Sequence, residues 1–403
     1  MKITGVETIQ LDNFPNLLWL RLHTEDGQTG LGETFLGPES VSAYVHETAA
    51  HQILGLDSRD IEGIRHRLRD TYVGFSGSGV EMRGASAIDI ALWDLLGKHS
   101  GLPVAVALGG RTRNEIALYN TCAGYGYVRQ KYGQTGPSSW SINGDATGPY
   151  EDLDGFLNRP AELAASLLDE GISAMKIWPF DQAAVESGGL DITAEQLAAG
   201  IAPFEAIRAA HGSDMKIMAE LHSMWLPGAA QKIARALEPL DIYWIEDPIK
   251  MRSMDVLADF TSNVNLPVAA SETLGTVEAF RDLINRRAAD IIMLDLGFTG
   301  GLSEGRRIGN MAEAAQLPIT AHDCTGPVVF AASVHLSMHL PNALIQEAVR
   351  AFYTGWYTEI VTQLPHIDHG MVSPPDGPGL GMELRPEVFK RADLRQRVSN
   401  WEG

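Results

Sequence analysis

The sequence predicts an α/β protein: an α+β unit followed by a closed barrel of alternating strands and helices. Three observations lead there. The first third pairs a hairpin signal with one long helical run. From about residue 115, eight short apolar runs alternate with helical stretches. Three of those runs end in glutamate at one constant interval.

The N-terminal unit comes first. "LLWLRLHTEDGQTGLGETF" reads as strand, Asp-Gly turn, strand. In "GASAIDIALWDLLGKHSG", Ala87, Ile90, Ala91 and Asp94 recur at helical spacing, and Gly97 or Gly101 ends the helix. The eight later runs are "EIALYNT", "AMKIW", "KIMAEL", "IYWIED", "PVAASE", "DIIMLD", "LPITAH" and "ALIQEA". Regular strand–helix alternation calls for parallel strands joined by crossover helices, and eight units close a barrel. The boundaries follow: 1–114 for the first domain, 115–364 for the barrel, 365–403 for a Pro/Gly-rich tail that leaves it. Two connections are long, 124–155 and 179–197. The first is rich in tyrosine, with a tryptophan among Gly, Ser and Asn. Long ordered loops of this kind are commonly lids or binding loops, with a disordered insertion as the alternative.

Bulk composition narrows the function. A chain of 403 residues with 45% hydrophobic and 20% charged residues is ordinary for a soluble globular protein. A net charge of −20 argues against a nucleic-acid partner. Two cysteines, Cys122 and Cys324, give no disulfide framework and no Cys-rich zinc site. No stretch reads as a signal peptide or membrane span, so a cytoplasmic protein with no membrane partner is expected.

Chemistry concentrates at the strand ends. Glu220, Glu246 and Glu272 close three successive runs, and 246 − 220 = 272 − 246 = 26. One βα repeat of that length brings each carboxylate to the C-terminal rim, where barrel active sites lie. Converging carboxylates repel unless a cation sits among them, and oxygen ligands favour Mg²⁺, with Mn²⁺ as the alternative. The competing reading of any one of them is a structural ion pair. Asp295 and His322 end the next two runs. A carboxylate beside an imidazole fixes its tautomer and suits a general base. His335 and His339 have metal-pair spacing, but their stretch reads as a packed helix. Lys176 and Trp178 stand two apart, so they share a direction on the second barrel strand. A lysine there requires a partner or a task.

These residues resemble the enolase superfamily, and within it the mandelate racemase-like group. The likeness is carried by "GLGET", "ASAIDIALWDLLGKHSGLPVAVALGG", "WIEDP", "ASET", "DLGFTGG", "PITAH" and "PGLG". It implies an α+β capping domain over a modified (β/α)7β barrel, TIM-barrel-like, with a C-terminal segment returning to the cap. It also implies removal of the proton α to a carboxylate, through an enediolate stabilised by Mg²⁺. That proton is very weakly acidic, so a divalent cation close by fits the chemistry. On this resemblance Glu220, Glu246 and Glu272 bind the metal and His322, backed by Asp295, is the base. Glu347 hydrogen-bonds a substrate carboxylate oxygen. Members of the group are often symmetric oligomers, so a homo-oligomer is expected.

Two departures bear on the reaction. Racemising members carry Lys-x-Lys on the second barrel strand; here Lys176 matches the first lysine, an auxiliary cation, and Trp178 replaces the second. The base for the opposite face is therefore missing. His222 follows Glu220 by two, resembling the Asp-x-His of sugar-acid dehydratases, where the histidine protonates the leaving hydroxyl. By strand period it points with Glu220. The expected function is a Mg²⁺-dependent sugar-acid dehydratase acting on an aldonate or aldarate. A cycloisomerase on an anhydro-sugar acid or lactone is the close rival, and Trp178 would wall a cyclic substrate. An epimerase and a non-catalytic sugar- or metal-binding barrel are the remaining alternatives. Specificity is expected from "DNFPNLLW", the segment before "GVEMRG" and the tyrosine-rich insertion.

Overall fold

The computed structural model describes residues 1–69, 77–127, 129 and 150–403. The hairpin forms as expected. Strands β2 (Leu17–Thr24) and β3 (Thr29–Phe35) pair antiparallel, and Gly27 takes φ +83° in the turn. β1 (Ile3–Leu11) lies beside β2 and completes a meander. The long helix Val80–Ser100 packs across it, and Gly101 ends the helix at φ +70°. Gly32 is required by that packing, since a Cβ there would meet Ala87 O at 1.9 Å.

All eight barrel runs are strands: β4 (Ile116–Thr121), β5 (Ala174–Ile177), β6 (Lys216–Glu220), β7 (Trp244–Glu246), β8 (Val268–Ala270), β9 (Ile291–Leu294), β10 (Ile319–Ala321) and β11 (Gln346–Ala348). β4 to β10 pair in sequence and in parallel, and β11 returns to β4. The remaining seam closes through Leu344 N–H donating to Ile319 O at 2.8 Å and Thr320 Oγ1–H to Ile345 O at 2.6 Å. Tyr119, Met218, Trp244 and Met293, from β4, β6, β7 and β9, belong to one buried cluster that fills the interior.

The tail pairs β12 (His366–Asp368) with β13 (Met371–Ser373), and β13 adds to β4. It then runs back to the first domain, where β14 (Leu394–Asn400) pairs with β1. The second long connection turns out differently from the loop reading. Residues 179–197 fold into helix Asp181–Ser187 and the start of helix Ala194–His211, capped by Thr193 with Gln196. Most of the tyrosine-rich insertion lies outside the described residues.

Polar contacts lock the cap to the barrel rim. Thr34 Oγ1–H donates to Gly297 O at 2.7 Å, Trp93 Nε1–H to Ser303 Oγ at 2.9 Å, and Ser303 N–H to Asp89 Oδ1 at 2.9 Å. This explains "DLGFTGG": Gly301 sits at φ +74°, and a Cβ there would meet Asp89 Oδ1 at 2.5 Å. Glu33 of "GLGET" accepts Val329 N–H at 3.0 Å at the start of helix Pro327–His339. Burial lifts its pKa to about 8, opposed by those helix N–H groups.

His335 is a packing residue, as its apolar helix implies. It is fully buried, its Nδ1 accepting Ala105 N–H at 3.3 Å and its Nε2 lying 3.3 Å from Leu380 O. Burial lowers its pKa from 6.5 to about 4. A histidine held below its unfolded value stabilises fully above pH 6.5, and that contribution disappears as pH falls toward 4. At 1.36 kcal/mol per unit the loss is roughly 3 kcal/mol. Denaturant titrations at pH 7 and pH 4 should show it, with a flatter pH slope in His335→Gln; equal slopes would contradict it.

Candidate active site

The strand ends assemble a site one carboxylate at a time. Glu220 and Glu246 terminate β6 and β7 and face each other in register across that parallel pair. Glu272 follows β8 by two residues, on a turn whose Ser271 hydroxyl donates to Asp247 at 2.9 Å. Oxygens of Glu220, Glu246 and Glu272 lie within 4.8 Å of one another. Lys176, in β5 and 2% exposed, reaches Glu246 at 2.5 Å, Glu347 at 3.0 Å and Glu220 at 3.4 Å. The lysine of the second barrel strand thus has carboxylate partners.

One ammonium does not balance three buried carboxylates, Glu220, Glu246 and Glu347, with the partly buried Glu272 beside them. Burial and the adjacent Glu220 push Glu246 well above the usual carboxylate range, against the pull of Lys176. Glu220 Oε2 is buried and makes no hydrogen bond; its one cationic neighbour is the shared Lys176 ammonium at 3.4 Å. Three carboxylates converging this closely are what a hard cation would complete, and an all-oxygen donor set suits Mg²⁺ or Mn²⁺. The residues therefore fit a divalent ion.

Two histidines share the adjoining cavity, of about 230 Å³. His322 follows β10; its Nδ1 lies 2.7 Å from Asp295 Oδ2 and its Nε2 2.7 Å from Glu272 Oε2. Asp295 Oδ1 accepts Gly297 N–H at 2.6 Å, which fixes the carboxylate and through it the ring. Burial opposes the charged imidazole, but Glu272 and Glu347 raise it well above the ordinary value.

His222 lines the same cavity, by a route other than strand alternation. β6 stops at Glu220, and His222 and Ser223 take φ +49° and +54°. The reversed turn is held by His222 N–H donating to Glu220 Oε1 at 2.5 Å. Its ring Nδ1 lies 2.6 Å from Asp181 Oδ2. Burial lowers a histidine, yet Asp181 and Glu220 together raise His222 to about 9. Asp181 had no signal in the chain beyond its place after Pro179 at a helix start. The site therefore has two His–Asp pairs.

Trp178 lines the cavity between these groups, its ring 5.6 Å from His222, 5.5 Å from Tyr127 and 5.1 Å from Phe156. Glu347 is set back. Its Oε1 accepts from Thr121 Oγ1–H and pairs with Lys176, and its Oε2 accepts Asp323 N–H at 2.9 Å. It does not line the cavity; Thr121 and Lys176 stand there. Among the segments expected to confer specificity, "DNFPNLLW" is turned inward, with Phe14 packed on Trp19 and Trp356. The cap wall consists instead of Phe35, Leu36, Ser78 and Arg83, with Tyr127 at the start of the insertion. Of the segment before "GVEMRG", residues 70–76 lie outside the described residues, and Gly77 and Ser78 are described.

Fold and site together define a capped (β/α) barrel enzyme with a three-carboxylate cluster flanked by paired histidines. Comparison with known proteins agrees. Residues 6–109 match the mandelate racemase / muconate lactonizing enzyme N-terminal domain, and residues 159–388 match the enolase C-terminal domain-like family. The chain belongs to the enolase superfamily, in its mandelate racemase-like group. A D-galactonate dehydratase family member from Streptomyces bingchenggensis is 30% identical, over 96% of this chain and 92% of its own. A D-mannonate dehydratase from Novosphingobium aromaticivorans is 28% identical, over 96% and 94%. The crystal structure of an enolase of the mandelate racemase subgroup from Agrobacterium tumefaciens superposes with a TM-score of 0.87, at 46% identity over 99% of each chain. No described helix is long and apolar enough to cross a membrane.

Proposed function

We propose that the chain is a sugar-acid dehydratase that removes the proton α to a carboxylate and expels the neighbouring hydroxyl, giving a 2-keto-3-deoxy acid. The observation that carries this is the second His–Asp pair: His222 on Asp181 shares one cavity with His322 on Asp295. Elimination needs both a base and an acid, because hydroxide is a poor leaving group.

His322 takes the α-proton, and Asp295 holds its ring and stabilises the charge it gains. His222 delivers a proton to the departing oxygen, which leaves as water; the enol so formed becomes the keto acid. A divalent cation, Mg²⁺ in this reading, held by Glu220, Glu246 and Glu272 would supply positive charge for the substrate carboxylate as the proton leaves and would offset the acidic field at His322. Lys176 sets the spacing of Glu220, Glu246 and Glu347 and adds a second positive charge at the cavity floor. Trp178 stands where an opposite-face base would be, so exchange is one-sided. The names of the relatives support the reaction class, and their differing sugars leave stereochemistry to experiment.

The test is a panel of acid sugars assayed for 2-keto acid, with substrate and product masses compared. Loss of one water supports the dehydratase. A product of unchanged mass would instead make the chain a cycloisomerase.

A further inference from the structure

Arg83 rises from the first turn of helix Val80–Ser100 and lines the same cavity as Lys176, His222, Glu272 and His322. It belongs to the cap, whereas the carboxylate triad belongs to the barrel. Its guanidinium lies over the Phe298 ring, 5.2 Å from the centroid. Its Nε is buried and has no hydrogen-bond partner, and no ion pair joins it to any described residue. The nearest acids are committed elsewhere. Asp295 is bonded to His322 and Gly297, and Glu81 folds back over Gly77. A half-buried guanidinium with open donors is costly to leave unmatched, and its planar fork fits a carboxylate.

We propose that Arg83 is the anchor for a second substrate carboxylate, so that the enzyme acts on a sugar diacid rather than on a monoacid. This rests on the dehydratase reading above. One carboxylate is handled at the barrel floor, beside Lys176; the other meets Arg83 at the cap, where Phe35 and Phe298 also line the cavity. A dianion entering a protein of net charge −20 gains most from a cation at each end of its site.

The experiment compares each aldaric acid with the aldonic acid and the 6-phosphoaldonate of the same stereochemistry, using wild type, Arg83→Gln and Arg83→Lys. Wild type should favour the best diacid over its monoacid by about a hundredfold in kcat/KM, Arg83→Gln should collapse that ratio, and Arg83→Lys should recover part of it. A ratio near one in wild type, an unchanged ratio in Arg83→Gln, or preference for the phosphate would overturn the proposal. Calorimetric binding of the same panel decides it without turnover: no diacid binding more tightly than its monoacid overturns it equally. Absence of keto acid from every compound would sink the dehydratase reading, and the binding arm would still judge Arg83.

Discussion

Replacing His322 with Asn removes both α-proton exchange and turnover, a loss of about 10⁴-fold or more, while the fold persists. Asparagine keeps a polar group beside Asp295 but offers no basic nitrogen at the cavity. Asp181→Asn gives a different pattern. It weakens the partner that holds His222 at about 9 and leaves His322 in place. Proton exchange at the α-carbon should then survive while elimination slows by about 10- to 100-fold. Isotope exchange and product formation, measured together for both variants, separate the base from the acid. Equal loss of exchange in the two would contradict the division of labour between the pairs.

Chelation is expected to abolish turnover completely, and Mg²⁺ to restore it. Lys176 is shared among Glu220, Glu246 and Glu347, reaching Glu220 Oε2 only at 3.4 Å, and leaves Glu272 to His322. Carboxylates this close and this dry need more positive charge than one lysine provides. A readout independent of activity follows from linkage. Mg²⁺ at about one hundred times its Kd should raise stability by about 2.7 kcal/mol, and Glu220→Gln should lose most of that rise. Full activity after exhaustive chelation, or no thermal response to Mg²⁺, would contradict the triad's role.

Much of this was legible in the chain because period and register carry the information. Glu220, Glu246, Asp295 and His322 sit at or just beyond strand ends, so a constant βα repeat projects them to one rim. The eight strands could be read because their apolar runs alternate regularly with helices. What escaped obeys no period. Asp181 comes from the first turn of a helix and Arg83 from the cap across the domain junction, while His222, named from its spacing to Glu220, reaches the cavity through positive-φ backbone rather than strand alternation. Glu347 shows the converse: its strand-end position was plain, but Thr121 and Lys176 intervene between it and the cavity. Side-chain partners so far apart in sequence leave no spacing signal. The reading of residues 179–197 as a loop failed for a related reason, since the Gly188–Gly189 pair that interrupts the pattern marks the end of one helix ahead of the next.

The central claim is that a base on one face works with an acid beside it. Incubating wild type with acid sugars in D₂O tests it most directly. The account predicts a 2-keto-3-deoxy product lighter by one water, a single deuterium at C3, and recovered substrate with no inversion at C2. Recovered substrate carrying deuterium with inverted C2 would mean that both faces are served, and would contradict it.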